Sequence, residues 1–228
     1  MDNDRVEAVK IERNGILLQG LLGCPTGAQG IVLFAHGSGS GRLSPRNQDV
    51  ARHLRSRGLA TLLMDLLTEE EEALDIRTSQ LRFNIGFLAK RLLLATDWVK
   101  RHELAQRLGI GYFGASTGAA AALVAAAIQP ELIQAVVSRG GRPDLAAAYL
   151  DDVQAPTLLI VGGYDHEVLR MNQEARERMS QTQCRLEIVP RATHLFEEPG
   201  ALTQVANLAE QWFSLYLHSR QPEVNHYV

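Results

Sequence analysis

The chain has 228 residues, of which 46% are hydrophobic and 21% are charged, and its formal net charge is −3. This size and composition are typical of one globular domain that forms its core without disulfides or metal ions, so we expect a single domain over residues 1–228. The weakly negative charge disfavours nucleic acid as a partner.

Short β-branched runs alternate with longer amphipathic runs along the chain. Residues 6–11 and 16–22 flank Asn14-Gly15, which predicts a β-hairpin. The later apolar runs predict buried strands at 30–35, 60–64, 109–113, 132–137, 157–161 and 185–189. The amphipathic runs predict helices at 47–57, 81–103, 117–128, 167–179 and 202–218. This order predicts an α/β protein with a mostly parallel sheet of about eight strands and helices on both faces.

Two segments stand apart from this alternation. Residues 68–80 contain four consecutive glutamates, from Glu69 to Glu72, and are interpreted as a solvated loop or the start of a helix, with no function assigned. The stretch between the strands at 132–137 and 157–161 is short. It leaves little room for a large cap domain, so we expect an open site.

The motif Gly-Ala-Ser-Thr-Gly at 114–118 lies between a predicted strand and a predicted small-residue helix. Gly-x-Ser-x-Gly in this context is typical of a nucleophile elbow, a tight turn that exposes the serine hydroxyl above the sheet. Two glycines are needed because a Cβ at either position would collide with the neighbouring strand or helix. Ser116 is therefore the candidate nucleophile.

A serine hydroxyl needs a base, and the base needs a group that orients it. Asp165 follows the strand at 157–161 and His194 follows the strand at 185–189, so the order Ser, Asp, His along the chain is the one found in this type of fold. His36 is interpreted as organising its own loop. His166 is disfavoured as the base, because it adjoins Asp165 and should point away. Asp65 is the rival acid, although its position suits a loop-fixing carboxylate better.

The glycine-rich loop that begins at His36 follows the strand at 30–35. Acyl transfer needs two hydrogen-bond donors aimed at the developing oxyanion, and we expect these to be the amides of Ser38 and Thr117. A phosphate-binding loop is the competing interpretation. The glycines at 37, 39 and 41 lack the spacing of a dinucleotide fingerprint, and no Gly-Lys-Ser/Thr follows.

Several arginines follow strands at the same predicted edge of the sheet. Arg139 and Arg142 follow one strand, and Arg42 and Arg46 follow the oxyanion loop. We expect Arg139, Arg142 and Arg42 to bind an anionic group of a small acyl substrate by forked hydrogen bonds. In the alternative interpretation, Arg139 braces its loop by pairing with a local acid. The candidate acids are Asp144 and Asp165.

The remaining expectations concern location and cofactors. The polar start of the chain, Met1-Asp2-Asn3, is unlike a signal peptide, and no apolar run reaches the roughly 18 residues of a membrane span. Cys24 and Cys184 are too few for a disulfide framework and lack the spacing of a metal site, so they are interpreted as buried thiols. We expect a cytoplasmic protein with no metal, no cofactor and no membrane partner, and the sequence does not predict an oligomeric state.

Together, His-Gly at 36–37, the motif at 114–118, Gly-Gly-Tyr-Asp at 162–165 and Thr-His-Leu-Phe at 193–196 resemble the dienelactone hydrolase-like branch of the α/β-hydrolase superfamily. The resemblance covers residues 16–217. Residues 36–47 and 137–144 are also similar to bacterial hydrolase-like proteins sometimes joined to phosphoribosyltransferase domains. The resemblance implies an esterase-like hydrolase, with serine at the position where dienelactone hydrolases proper carry cysteine. Acyl transfer to another acceptor and a non-catalytic binding module are the alternatives.

Overall fold

One sheet organises the part of the chain that the structure, a computed structural model, describes, which is residues 5–219. The N-terminal residues 1–4 and the tail from residue 220 lie outside it. Within residues 5–219 the sheet has eight strands in the order β1-β2-β4-β3-β5-β6-β7-β8. The strands are β1 (Val6–Arg13), β2 (Ile16–Gly23), β3 (Gly30–Ala35), β4 (Ala60–Met64), β5 (Gly109–Ala115), β6 (Ile133–Arg139), β7 (Thr157–Gly162) and β8 (Cys184–Val189).

The predicted hairpin and the predicted parallel sheet are both confirmed. β1 pairs antiparallel with β2, and Asn14 and Gly15 turn between them with φ of 51° and 76°, the positive values that a tight hairpin turn requires. β2 pairs antiparallel with β4, and all later pairs are parallel. The carboxyl ends of β3 to β8 therefore meet at one edge, which is where ligands bind in sheets of this kind.

Helices cover both faces of the sheet. They are α1 (Pro45–Ser56), α2 (Glu69–Thr78), α3 (Ile85–Val99), α4 (Thr117–Ile128), α5 (His166–Arg178), α6 (Ala201–Tyr216) and a 3₁₀ helix (Pro143–Asp152). Leu33 packs in a core with α3 and α4, whereas its neighbour Phe34 packs in a second core with α1 and α6. Successive strand residues point to opposite faces, so these two cores lie on opposite sides of the sheet. No helix within residues 5–219 combines the length and the apolar character that a membrane crossing needs.

The glutamate run is the start of a helix rather than a loop. Thr68 caps α2 reciprocally: its hydroxyl accepts the Glu71 N–H at 3.3 Å, and the Glu71 carboxylate accepts the Thr68 N–H at 2.8 Å. Acidic residues in the first turn also suit the positive end of a helix. Asn84 caps α3, which is therefore shorter at both ends than the predicted 81–103. The 3₁₀ helix was not predicted.

Candidate active site

The nucleophile elbow is formed as predicted. Ser116 has φ 51° and ψ −119°, a strained conformation for a residue with a side chain, and directly precedes α4. A Cβ on Gly114 would lie 2.3 Å from Ala119 Cα, and one on Gly118 would lie 2.1 Å from the Ala35 carbonyl oxygen. Both distances are far below normal contact, so the close approach of α4 to β3 and β5 requires both glycines.

Asp165 and His194, the predicted acid and base, meet at the same edge of the sheet. His194 Nδ1 donates to Asp165 Oδ2 at 2.6 Å, which leaves Nε2 as the proton-accepting nitrogen. The Tyr164 N–H donates to the Ala192 carbonyl at 2.9 Å, and this bond ties the acid-bearing loop to the histidine-bearing loop. The Asp165 side chain is 15% exposed and the His194 side chain is 38% exposed, so the carboxylate is shielded from water while the imidazole remains accessible.

The other hydrogen bond of a catalytic triad, between the serine and the histidine, is not formed. The Ser116 hydroxyl forms no hydrogen bond with any residue from 5 to 219. The backbone nevertheless holds the two residues at one place. The Ser116 N–H donates to the Arg139 carbonyl at 3.2 Å, and the next residue, Gly140, lies so close to His194 that an added Cβ would be 3.4 Å from Nδ1. Catalytic hydrogen bonds that are long without substrate often tighten when substrate binds.

The rival acid and the rival bases occupy structural positions. His36 Nδ1 donates to the Gly37 carbonyl at 2.9 Å, and Nε2 accepts the Leu66 N–H at 3.0 Å, so both nitrogens are engaged. Burial lowers the pKa of His36, although the Gly37 bond and nearby carboxylates oppose this effect, and the ring is neutral at pH 7. His166 is exposed, in the first turn of α5. Asp65 accepts the Arg42 N–H at 2.7 Å and also pairs with the Arg42 guanidinium, as expected of a loop-fixing carboxylate.

The two predicted oxyanion donors lie side by side. The hydroxyls of Ser38 and Thr117 are hydrogen-bonded at 3.1 Å, which links the loop after β3 to the elbow. Gly37 approaches Ser116 so closely that an added Cβ would be 3.2 Å from Ser116 Cβ. Neither the Ser38 N–H nor the Thr117 N–H has an acceptor within residues 5–219, so both remain available to a ligand.

The structure revises the prediction for the arginines. Arg42 is bound to Asp65, and Arg142 forms two hydrogen bonds to Asp144 at 2.8 and 2.7 Å, so each already neutralises a carboxylate. Arg139 is different. Its side chain is buried, it has no carboxylate partner within residues 5–219, and its Nη1 atom is a buried donor without an acceptor. The alternative in which Arg139 pairs with a local acid is wrong for these residues. Asp144 binds Arg142 and Asp165 binds His194.

A cavity of about 700 Å³ lies beside the oxyanion loop. One wall is the loop from His36 to Leu43, the opposite wall is α2, and the hairpin closes one end. Its lining combines acidic side chains with apolar ones. The acidic residues are Asp65, Glu69, Glu70 and Glu72, of which Asp65 is paired with Arg42 in the same lining, and the apolar ones are Leu17, Leu43, Leu67, Ala73 and Ile76. Neither Ser116 nor His194 lines it, so the cavity lies beside the predicted catalytic residues rather than around them. α2, for which the sequence predicts either a loop or the start of a helix, forms one of its walls.

Sheet order, elbow and histidine-bearing loop together define an α/β hydrolase. The sequence profile of the Dienelactone hydrolase family matches residues 18–218, and the chain belongs to that family. A solved dienelactone hydrolase from Anabaena variabilis is 61% identical and superposes with a TM-score of 0.93, covering 95% of this chain and 100% of that one.

More distant solved structures share the fold. Est1E from Butyrivibrio proteoclasticus is 18% identical, with a TM-score of 0.75 over 91% of this chain and 97% of its own. A dienelactone hydrolase-like promiscuous phosphotriesterase from metagenomic libraries is 17% identical, with the same TM-score over 93% and 98%. At such identities the likeness concerns the fold alone.

Curated relatives carry a different name. A Mycobacterium tuberculosis protein named "Putative phosphoribosyl transferase" is 53% identical over 209 residues, which are 92% of this chain. The match covers 46% of that protein, so the chain spans about half the length of the curated relatives it matches.

Proposed function

We propose that the protein is a serine hydrolase that cleaves a small acyl ester or lactone, with Ser116 as nucleophile, His194 as base and Asp165 as orienting acid. The observation that carries the proposal is the His194–Asp165 hydrogen bond of 2.6 Å at the sheet edge where Ser116 is held at φ 51°. Family membership supports a hydrolase.

In this mechanism Ser116 Oγ attacks the substrate carbonyl while His194 Nε2 accepts its proton. Asp165 keeps the imidazole in the tautomer that carries the proton on Nδ1 and stabilises the imidazolium that forms. The N–H groups of Ser38 and Thr117 donate to the oxyanion, and removal of one such donor typically lowers the rate about 100- to 1,000-fold. His194 then returns the proton to the leaving alcohol. Water, activated by His194, releases the acyl group from Ser116.

The shape of the site indicates how a substrate is oriented. The acyl carbonyl must lie over Ser116, between the oxyanion loop and His194. The 700 Å³ cavity opens from the oxyanion loop and has an acidic and apolar lining, so it suits a neutral or apolar part of the substrate better than an anionic part.

The name of the curated relatives does not replace this proposal. It refers to a protein of which this chain matches 46%, and the matched part includes the residues proposed as a triad. Acyl transfer to an alcohol remains the alternative chemistry at the same site, and competing alcohols added to the assay separate it from hydrolysis.

We also propose a cytoplasmic location, because Cys24 and Cys184 are both unpaired.

The test is turnover of a panel of activated acyl esters that differ in chain length and charge. Ser116→Ala should lower turnover at least about 1,000-fold and leave the unfolding temperature nearly unchanged, since the hydroxyl has no hydrogen-bond partner within residues 5–219. Ser214→Ala is the control, because Ser214 is exposed on α6, lies outside the cavity and takes no step in the mechanism. Equal turnover by the Ser116→Ala variant and the wild type would reject the proposal.

A further inference from the structure

The cavity beside the oxyanion loop is lined by large apolar side chains that remain open to solvent. Ile76 is 67% exposed, Leu43 is 64% exposed and Leu17 is 38% exposed, and all three line the cavity. None of them belongs to either apolar core of the sheet. Exposed apolar side chains that gather around one concavity commonly mark a ligand site, and about 700 Å³ is the size of a pocket for a small molecule.

α2, which carries Ile76, is attached to the protein mainly by polar contacts. Asp75 is the one buried residue of this helix, and its carboxylate accepts Arg82 Nε at 2.6 Å. Near the start of the helix, Glu71 forms an ion pair with Arg91. Ile76 therefore contributes little to the attachment of α2, and a substitution there should leave the fold intact.

The cavity is within reach of a chain whose carbonyl lies over Ser116. The Ser40 N–H donates to the Gly37 carbonyl at 3.2 Å, so residues 37–40 form a β-turn whose ends are less than about 7 Å apart. Gly37 lies beside Ser116, and Ser40 lines the cavity. The cavity therefore begins within about 10 Å of the Ser116 side chain, a distance that a chain of about eight carbons spans.

The position of His194 indicates which part of an ester the cavity receives. In the proposed reaction His194 returns a proton to the leaving oxygen, so the alcohol part must lie within hydrogen-bond reach of the imidazole. His194 does not line the cavity, whereas the oxyanion loop does. The acyl part, which extends from the carbonyl held by that loop, is therefore the part that fits the cavity.

The charge of the lining disfavours an acyl chain that ends in an anion. Glu69, Glu70 and Glu72 line the cavity and have no cationic partner within residues 5–219. Glu72 is half-buried, and it also lines a narrow gap that reaches the two proposed oxyanion donors. A carboxylate in the cavity would be repelled by these side chains at short range, where water screens charge less than in bulk solution.

We infer that the cavity binds the uncharged, medium-length acyl chain of the ester, that Leu43 and Ile76 determine the preference for chain length, and that Glu72 excludes chains that end in a carboxylate. The inference rests on the proposed function, because the chain can be placed only when its carbonyl lies over Ser116.

The first experiment compares kcat/KM of the full chain for the butyryl and octanoyl esters of nitrophenol. The wild type should prefer the octanoyl ester by about 10- to 100-fold, because the additional methylene groups leave water for the apolar lining. Ile76→Ser and Leu43→Ser should each lower this ratio at least about 3-fold. Leu74→Ser is the matched control: Leu74 is also exposed on α2 but does not line the cavity, so the ratio should remain that of the wild type.

The second experiment tests the charge of the lining with two esters of equal chain length. The nitrophenyl monoester of octanedioic acid ends in a carboxylate, and its kcat/KM should be at least about 10-fold below that of the octanoyl ester. Glu72→Gln should narrow this difference, because it removes a negative charge and keeps the shape of the side chain. An equal difference in the wild type and in Glu72→Gln would reject the role of Glu72.

Two results would overturn the cavity as the acyl pocket while the proposed hydrolase activity stands. One is equal kcat/KM for the two chain lengths in the wild type. The other is the same ratio in Ile76→Ser as in Leu74→Ser. If no ester is hydrolysed, the proposed function fails instead. Titration calorimetry of Ser116→Ala then tests the cavity: octanamide should bind more tightly than butanamide, Ile76→Ser should reduce the difference, and equal binding of the two amides would overturn the inference.

Discussion

Gly118→Ala tests the contact that brings the elbow and the oxyanion loop together. A Cβ at this position would lie 2.1 Å from the Ala35 carbonyl oxygen and 2.4 Å from that of His36. Both obstructing atoms belong to the backbone, so no side chain can rotate away. The elbow cannot move away either, because the Ser116 N–H is hydrogen-bonded to the last residue of β6 and the Ser116 carbonyl to the loop that follows it. Overpacking of this kind typically costs about 1–3 kcal/mol, and we expect a value near 3 kcal/mol.

For a chain of this length each kcal/mol lowers the unfolding temperature by about 2–4 °C, so Gly118→Ala should lower it by about 6–12 °C. Turnover should fall as well, because the new methyl group displaces the loop that carries Ser38. Scanning calorimetry and ester hydrolysis measure the two effects separately. Gly86→Ala is the control: Gly86 is exposed in the first turn of α3, its nearest neighbour would be 3.9 Å away, and alanine there should be neutral or stabilising. Equal unfolding temperatures for Gly118→Ala and the wild type would refute the packing argument.

Two further predictions concern the acid and the buried histidine. Asp165→Asn should preserve the fold and lower kcat about 1,000- to 10,000-fold, because the amide favours the wrong imidazole tautomer. Asp65→Asn should instead lower stability by about 1 kcal/mol through its weakened bonds to Arg42, with turnover per folded molecule nearly unchanged. An exchange of these phenotypes would identify Asp65 as the acid. Because the pKa of His36 is lowered in the folded protein, the imidazole is protonated at a higher pH in the unfolded chain than in the folded one. The stability that His36 contributes is therefore complete above about pH 6.5. It is lost as the pH falls below that value, by up to about 1.4 kcal/mol per pH unit. In urea titrations at a series of pH values, His36→Gln should make the free energy of unfolding fall less steeply in acid.

The meeting of the three proposed triad residues at one sheet edge was predictable because its signals are local. Ser116, Asp165 and His194 each follow an apolar run directly, and the carboxyl ends of parallel strands meet by topology. The roles of His36 and Asp65 were inferred for the same reason. α2 could have been assigned more firmly, since Thr68 with glutamate three residues later is a capping-box pattern.

The arginines could not be sorted from the sequence. Arg42 and Asp65 are 23 residues apart and meet only because β3 and β4 are neighbours in the sheet. Arg139 becomes distinct from Arg142 only through its direction, inward from the last residue of β6, whereas Arg142 turns outward to Asp144. Burial of a single charge and the identity of its partners depend on tertiary packing, which periodicity does not encode.

The most direct test of the central claim is to locate the covalent adduct formed by a fluorophosphonate probe. Mass spectrometry of the digested, labelled protein should find one modified peptide, the one that contains Ser116. Labelling should disappear in Ser116→Ala and become much slower in Asp165→Asn, because the nucleophile loses its oriented base. An adduct on Ser38, Ser40 or Ser138, or undiminished labelling of the Ser116→Ala variant, would contradict the assignment of Ser116 as nucleophile.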